Sequence, residues 1–193
     1  FGNSVLSEYE KAMASVGSII ETATTFPYLT AKENLKLSGR FYGLNDEKRI
    51  DEVLEITGIL KYKNEKSSNF SLGMKQRLGI CSAMIHNPQL LILDEPSSAL
   101  DPQGRSDVLN LIIDLKKMGK TIIFSSHILT DVERVCDTIG IINSGKMVLE
   151  KPLEDMQREN IHPVFDIELK DFVNQEILNT INSNENILSI EVN

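Results

Sequence analysis

At 193 residues, with 41% hydrophobic and 25% charged side chains, the chain is long enough for one full domain with a real core plus a modest appendix. Its formal net charge of −8 lacks the basic face that displaces counterions from DNA or RNA, so nucleic acid is excluded as a first partner. No apolar run approaches the roughly 20 residues that span a bilayer. The two cysteines, Cys81 and Cys136, show neither a CxxC spacing nor histidines at ligand offsets, which predicts reduced core residues of a cytosolic protein.

The sequence opens at Phe1 rather than Met, as a piece of a longer chain would. Its first 15 residues read as irregular, and Val16-Gly17-Ser18-Ile19-Ile20 then reads as a strand. Thr30-Ala31-Lys32-Glu33 is a capping-box pattern, predicting a helix from there to about Tyr42. Asn45 is the expected cap of a second helix, with acids in its first turn, Ile50, Val53 and Leu54 at helical spacing, and Gly58 as its stop. A third helix is predicted from about Gly73 to His86, ending before Asn87-Pro88. Residues 30–87 are thus expected to form an all-helical subdomain.

After Pro88 the pattern changes. Leu90 to Leu93 is an apolar run too short for a helix and bounded by turn residues, hence a buried strand. Asp101-Pro102 supplies a cap and a first-turn proline for a helix whose Val108, Leu109, Ile112 and Leu115 line one face up to Gly119. Thr121 to Phe124 then reads as a strand, Ile128 to Cys136 as a helix, and Thr138 to Ile142 as a strand. This alternation predicts an α/β fold with a parallel, doubly wound sheet. Asn143 to Lys146 reads as a tight turn into a strand from Met147 to Glu150, which closes a domain over 1–150. Residues 151–193 are expected to be a linker and a small α+β appendix, with strands at Val164–Leu169 and Ile187–Val192 around a helix near Phe172–Ile181.

The chemistry concentrates at strand ends. Leu90 to Leu93 leads straight into Asp94-Glu95-Pro96, so two adjacent carboxylates emerge at the rim where open parallel sheets bind ligands. Asp94 has the hard oxygen that Mg²⁺ prefers, and Glu95 can orient or deprotonate an attacking water. By itself this triplet is equally a strand end closed by solvated charge. Upstream, Ser71 and Gly73 stand at a helix start, where free amides and the helix dipole favour a phosphate. Downstream, the strand Thr121–Phe124 delivers Ser125-Ser126-His127, and an imidazole there can bond a terminal phosphate. His86 and His162 have no such context and read as structural.

These segments resemble, in order, four motifs of the ABC-type transport ATPases. Phe70-Ser71-Leu72-Gly73-Met74-Lys75-Gln76-Arg77 resembles the signature motif, with Phe70, Leu72 and Met74 departing from the family's usual residues. Asp94-Glu95 resembles Walker B, Ser97 to Asp101 the D-loop, and His127 the switch histidine. Glu21 stands where the family's Q-loop carries glutamine, and the aromatics of the following loop, Phe26 and Tyr28, would suit a docking surface for a membrane subunit. The departures are most similar to exporters of the bacitracin and lantibiotic type.

The resemblance implies a P-loop NTPase fold that binds ATP and Mg²⁺, with Asp94 on the metal and Glu95 and His127 catalytic. Ser71, Gly73, Glu21, Gln76 and Asp101 would be cofactor-binding. It further implies a second ATPase subunit and an integral membrane permease as partners, and a peripheral place on the inner face of the cell membrane. No Gly-x-x-x-x-Gly-Lys-Ser/Thr occurs in the 193 residues, so the fold is expected to lack its N-terminal part and to hydrolyse ATP weakly or not at all alone. Two readings stay open: part of an exporter ATPase, or a catalytically dead homologue acting as a binding or regulatory module. Soluble family members acting in translation or DNA repair are disfavoured, because neither a tandem domain nor a long coiled-coil insertion is present.

Overall fold

A computed structural model describes residues 2–21 and 23–159. The chain falls into two units, Phe1–Glu154 and Asp155–Asn193, and the strands and helix expected over 164–192 lie outside the described residues. In chain order the elements are α1 (Tyr9–Ala14), β1 (Val16–Ile20), α2 (Ala31–Arg40), α3 (Glu47–Ile56), α4 (Leu72–Met84), β2 (Leu90–Asp94) and α5 (Pro102–Lys117). They continue with β3 (Thr121–Phe124), α6 (Leu129–Val135), β4 (Thr138–Asn143), β5 (Lys146–Pro152) and α7 (Leu153–Glu159).

β1, β2 and β3 form a parallel sheet in that order. Its register sets Gly17 beside Leu91 and Leu91 beside Ile122, so Gly17, Ile19, Leu91, Leu93, Ile122 and Phe124 share one face. That face carries the core: Leu91 and Leu93 are fully buried, together with Leu78, Ile80 and Met84 of α4 and Val108, Ile112 and Leu115 of α5. α4 crosses β1 so closely that a Cβ on Gly17 would stand 2.0 Å from the Ala83 carbonyl oxygen, which only glycine permits. On the opposite face Ile20 and Ile123 are exposed.

Two expectations fail here for local reasons. The stretch before β1 contains a short helix, α1, which has no side-chain cap and buries only Ala12, so six residues offered no apolar period to detect. β4 does not join the parallel sheet but pairs antiparallel with β5. Ser144 and Gly145 both have positive φ, +49° and +74°, the twist that favours a tight hairpin, so the local partner captures the strand.

The helical subdomain forms as its caps dictate. Thr30 and Glu33 close a capping box at 3.2 and 2.7 Å. The second cap is Asp46 rather than Asn45: its Oδ1 accepts from the Lys48 amide at 2.9 Å. Gly58, at φ +72°, follows the end of α3. Cys81 is buried against Thr57, and burial pushes its thiol up to about 12, while Cys136 is half-buried and also raised; both are free thiols. His86 stacks on Tyr42 with centroids 3.8 Å apart and donates to the Val16 carbonyl at 3.0 Å, with burial holding its pKa down.

Lys32 and Lys36, one turn apart on α2, both reach Glu47 at the start of α3 at 2.9 Å. Their hydrogen bonds and charge hold its carboxyl down to about 2 from the ordinary 4.5. A depressed folded pKa means this stabilisation is complete above about 4.5 and disappears as pH falls toward 2. Thermal unfolding followed across that window is expected to show an acid-side slope that Glu47→Gln flattens; an identical slope in the variant would show the three-way pair to be inert.

Candidate functional site

β2 ends at Asp94, and the backbone then turns through a left-handed conformation at Glu95, φ +46°. A non-glycine residue holds that geometry only when its surroundings over-determine it. Ser125, at the end of β3, does so. Its amide continues the ladder to the Leu93 carbonyl at 3.0 Å. Its hydroxyl accepts from the Glu95 amide at 2.8 Å and donates to Asp94 Oδ1 at 2.6 Å. The register of two strands therefore fixes both acids at once.

His127 lies two residues beyond Ser125, and its Nδ1 meets the Glu95 carboxylate at 2.9 and 3.0 Å. An ionised carboxylate only accepts, so Nδ1 carries the proton, and in the doubly protonated ring Nε2 is a second donor. The carboxylate is about one-quarter exposed and the imidazole about two-thirds exposed, so the pair opens to an incoming ligand. Asp94 keeps Oδ2 clear of hydrogen bonds among the described residues, an oxygen of the type that Mg²⁺ takes.

Beside this pair, a shallow cleft is lined by Glu21, Leu72, Gln76 and Glu95 and, from the following loop, by Pro96, Ser98, Ala99 and Leu100. Ser71 caps α4, its hydroxyl accepting from the Met74 amide at 3.2 Å. Space at Gly73 is bounded by Leu100 and Gly104, each about 4 Å from where its Cβ would be. The structure thus gathers Asp94, Glu95 and His127 at one rim, and Glu21, Gln76 and Glu95 around one cleft. Asp101 occupies the cap position of α5 but makes no side-chain cap bond, and its Oδ1 lies 2.7 Å from where a Cβ on Gly104 would stand. Gln76 is buried, and both its polar ends bond loop backbone, so it braces the loop rather than reaching outward as the expected cofactor-binding group.

Sequence reasoning passed over three contributors. Ser125 entered only as part of Ser-Ser-His, although its position beyond Phe124, which pairs with Leu93, places it at the acids. Asp131, at the start of α6, is buried and accepts from Arg105 Nε at 2.9 Å and from Ser97 Oγ at 3.1 Å. Those partners are 26 and 34 positions away, and no local pattern announces them. Asn34 is buried beneath the loop 23–30, accepting from the Phe26 amide at 2.8 Å and donating to the carbonyls of Phe26, Leu29 and Thr30. Ser67 adds a bond to the Phe26 carbonyl at 2.8 Å, and Phe26 and Tyr28 stay exposed on this held loop.

A family profile described as "ABC transporter" matches residues 2–98. The chain belongs to the ABC transporter family. Among its relatives, the bacitracin transport ATP-binding protein BcrA of Bacillus licheniformis is 42% identical over 83% of this chain and 53% of its own length. The lantibiotic transport ATP-binding protein SrtF of Streptococcus pyogenes is 40% identical over 79% of this chain and 66% of its own length. The chain spans about half the length of most of the curated relatives it matches. Two solved structures share the ABC ATPase fold: CbiO1 of Clostridium perfringens, part of the ABC transporter complex CbiONQ, and an ATP-binding subunit of an ABC transporter. They match with TM-scores of 0.70 and 0.68 and identities of 28% and 31%, over 78% and 82% of this chain and 62% and 67% of theirs. No helix among the described residues is long and apolar enough to cross a membrane.

Proposed function

We propose that this chain is part of the ATP-binding subunit of an ABC exporter, with a peptide antibiotic or related compound as cargo. One observation carries the reading: Glu95 held by the His127 imidazole at 2.9 Å on a sheet rim that also presents Asp94. Phosphoryl transfer asks of a protein chiefly positioning and charge stabilisation, which is the kind of work this cluster can do. Glu95 takes the proton of the attacking water and His127 keeps it oriented. The second ring nitrogen of His127 would be free to donate to a terminal phosphate. Asp94 would hold Mg²⁺, which would neutralise phosphate charge. Ser71 and Gly73, at the start of α4, meet the terminal phosphate of a nucleotide bound by a second ATPase subunit. The exposed Phe26 and Tyr28, on a loop tied down by Asn34 and Ser67, form a preorganised seat for a permease segment. These partners put the protein on the inner face of the cell membrane, and the likeness to transport proteins named for bacitracin and lantibiotic supports the choice of cargo.

The residues Gly-x-x-x-x-Gly-Lys-Ser/Thr that cradle β- and γ-phosphates are not among these 193, which supports weak or no turnover by the chain alone and keeps the binding-module reading as the alternative. Steady-state ATP hydrolysis, measured with the phosphate-binding segment and permease supplied, separates the two. Turnover is expected, and His127→Ala is expected to lower kcat roughly 100-fold while leaving thermal stability within about 0.5 kcal/mol, since its side chain is mostly exposed. An unchanged rate would make His127 a surface residue, and no turnover in the unsubstituted assembly would favour the binding module.

A further inference from the structure

We propose that Gln76 is a positioning residue that clamps the Glu21 turn onto α4 and so sets the spacing between Glu21, the Ser71 turn and Glu95. The inference deepens the exporter-ATPase reading and rests on it. Gln76 is 4% exposed, and its side-chain amide is divided between two points of one loop. Nε2 donates to the Glu21 carbonyl at 3.2 Å, and Oε1 accepts from the Ala23 amide at 3.3 Å. On its other side the same turn is tied to β2, because the Glu21 amide donates to the Asp94 carbonyl at 3.1 Å. Glu21 sits at φ +52°, a conformation that a non-glycine residue keeps only under such restraint. The turn is therefore bonded to the residue before Glu95 on one flank and to α4 on the other.

A second contact, independent of hydrogen bonding, marks the same junction. A Cβ on Gly79, one turn further along α4, would stand 2.3 Å from Ala23 Cβ, so the helix and the loop touch without room for a methyl group. Gln76 lies five residues beyond Ser71, about 8 Å along the helix axis, with no flexible segment between. A phosphate engaging the start of α4 then moves Glu21 along with it. A group buried with both ends matched to backbone cannot slide past the loop without leaving polar atoms unpaired.

Hydrogen exchange on the purified chain and ATP turnover by the assembled exporter test this together. In the unsubstituted chain the Ala23 amide is expected to exchange as slowly as the amides of central α4, although it lies in a loop. Gln76→Met, which keeps the volume and removes the amide, is expected to speed Ala23 exchange roughly tenfold or more and leave α4 unchanged. In the assembly the same variant is expected to lower kcat by about tenfold to 100-fold with KM for ATP within about twofold, because spacing rather than nucleotide contact is altered. Should Gln76→Met fail to fold, Gly79→Ala reads the same junction. Alanine is the better helix former, so a loss of kcat there comes from the displaced loop, and Ala23→Gly in the same chain is expected to recover it. An Ala23 amide that exchanges as an open loop does, a normal kcat in Gln76→Met, or no recovery in the Gly79→Ala, Ala23→Gly pair would overturn the clamp. Failure of the exporter-ATPase reading looks different: the unsubstituted assembly would not turn over ATP, while the exchange pattern of Ala23 would stand.

Discussion

Replacing Glu95 with Gln is expected to lower ATP turnover roughly 100-fold to 10,000-fold in the assembled exporter while ATP binding persists. The substitution keeps the shape of the side chain. The amide oxygen of glutamine still accepts from His127 Nδ1, so the arrangement recorded at 2.9 and 3.0 Å survives. The left-handed backbone at Glu95 survives as well, since its restraint is the amide bond to Ser125 rather than anything the carboxylate does. What disappears is the negative charge and the ability to take a proton from water. A loss confined to kcat, with nucleotide affinity measured separately and unchanged, is therefore the expected signature. Normal turnover in Glu95→Gln would remove Glu95 as the base, and with it the observation on which the proposed function stands.

The largest stability effect is expected at a residue outside the motifs. Asp131 is buried, with its carboxylate bonded to Arg105 and to Ser97, and its charge raises the pKa of Arg105 through their hydrogen bonds. Breaking a buried pair leaves the remaining partners without compensation, so Asp131→Ala is expected to cost about 3 kcal/mol, the low end for such pairs because Arg105 can turn to water. For a unit of this size that lowers Tm by roughly 10 °C. The exposed Lys117–Asp114 pair at 3.1 Å supplies the comparison, where Asp114→Ala is expected to change stability by less than about 0.5 kcal/mol. Equal effects at the two positions would show that burial does not govern the Asp131 pair. The Asp131 change carries a functional consequence too. Ser97 follows Glu95 by two residues and Asp131 follows His127 by four, so this one carboxylate ties together the segments leaving both members of the candidate pair.

The helical segments show where local rules suffice. The capping box at Thr30 and Glu33, the proline opening α5 and the stop at Gly58 are short-range matters of backbone bonding, and the folded chain has them where the residues dictate. At Asn45-Asp46 two adjacent cap formers compete, and Asp46 takes the position by accepting from the Lys48 amide. β4 shows the opposite case. A strand following a helix was expected to extend the parallel sheet, but pairing is a long-range choice, and a tight turn at Ser144-Gly145 brings β5 in at far lower entropic cost.

The sequence by itself points to the chemistry proposed for this protein through short local patterns: adjacent acids after an apolar run, a serine and glycine opening a helix, a histidine after a β-branched strand. That much is legible because each depends on neighbours a few positions away. Only the tertiary structure decided that Ser125 locks Asp94 and Glu95 together, that Gln76 turns inward to hold the Glu21 turn, and that Asp131 joins Arg105 to Ser97. These bonds link residues 26 to 55 positions apart, where the partner is chosen by the packing of whole strands and helices and leaves no periodic trace along the chain.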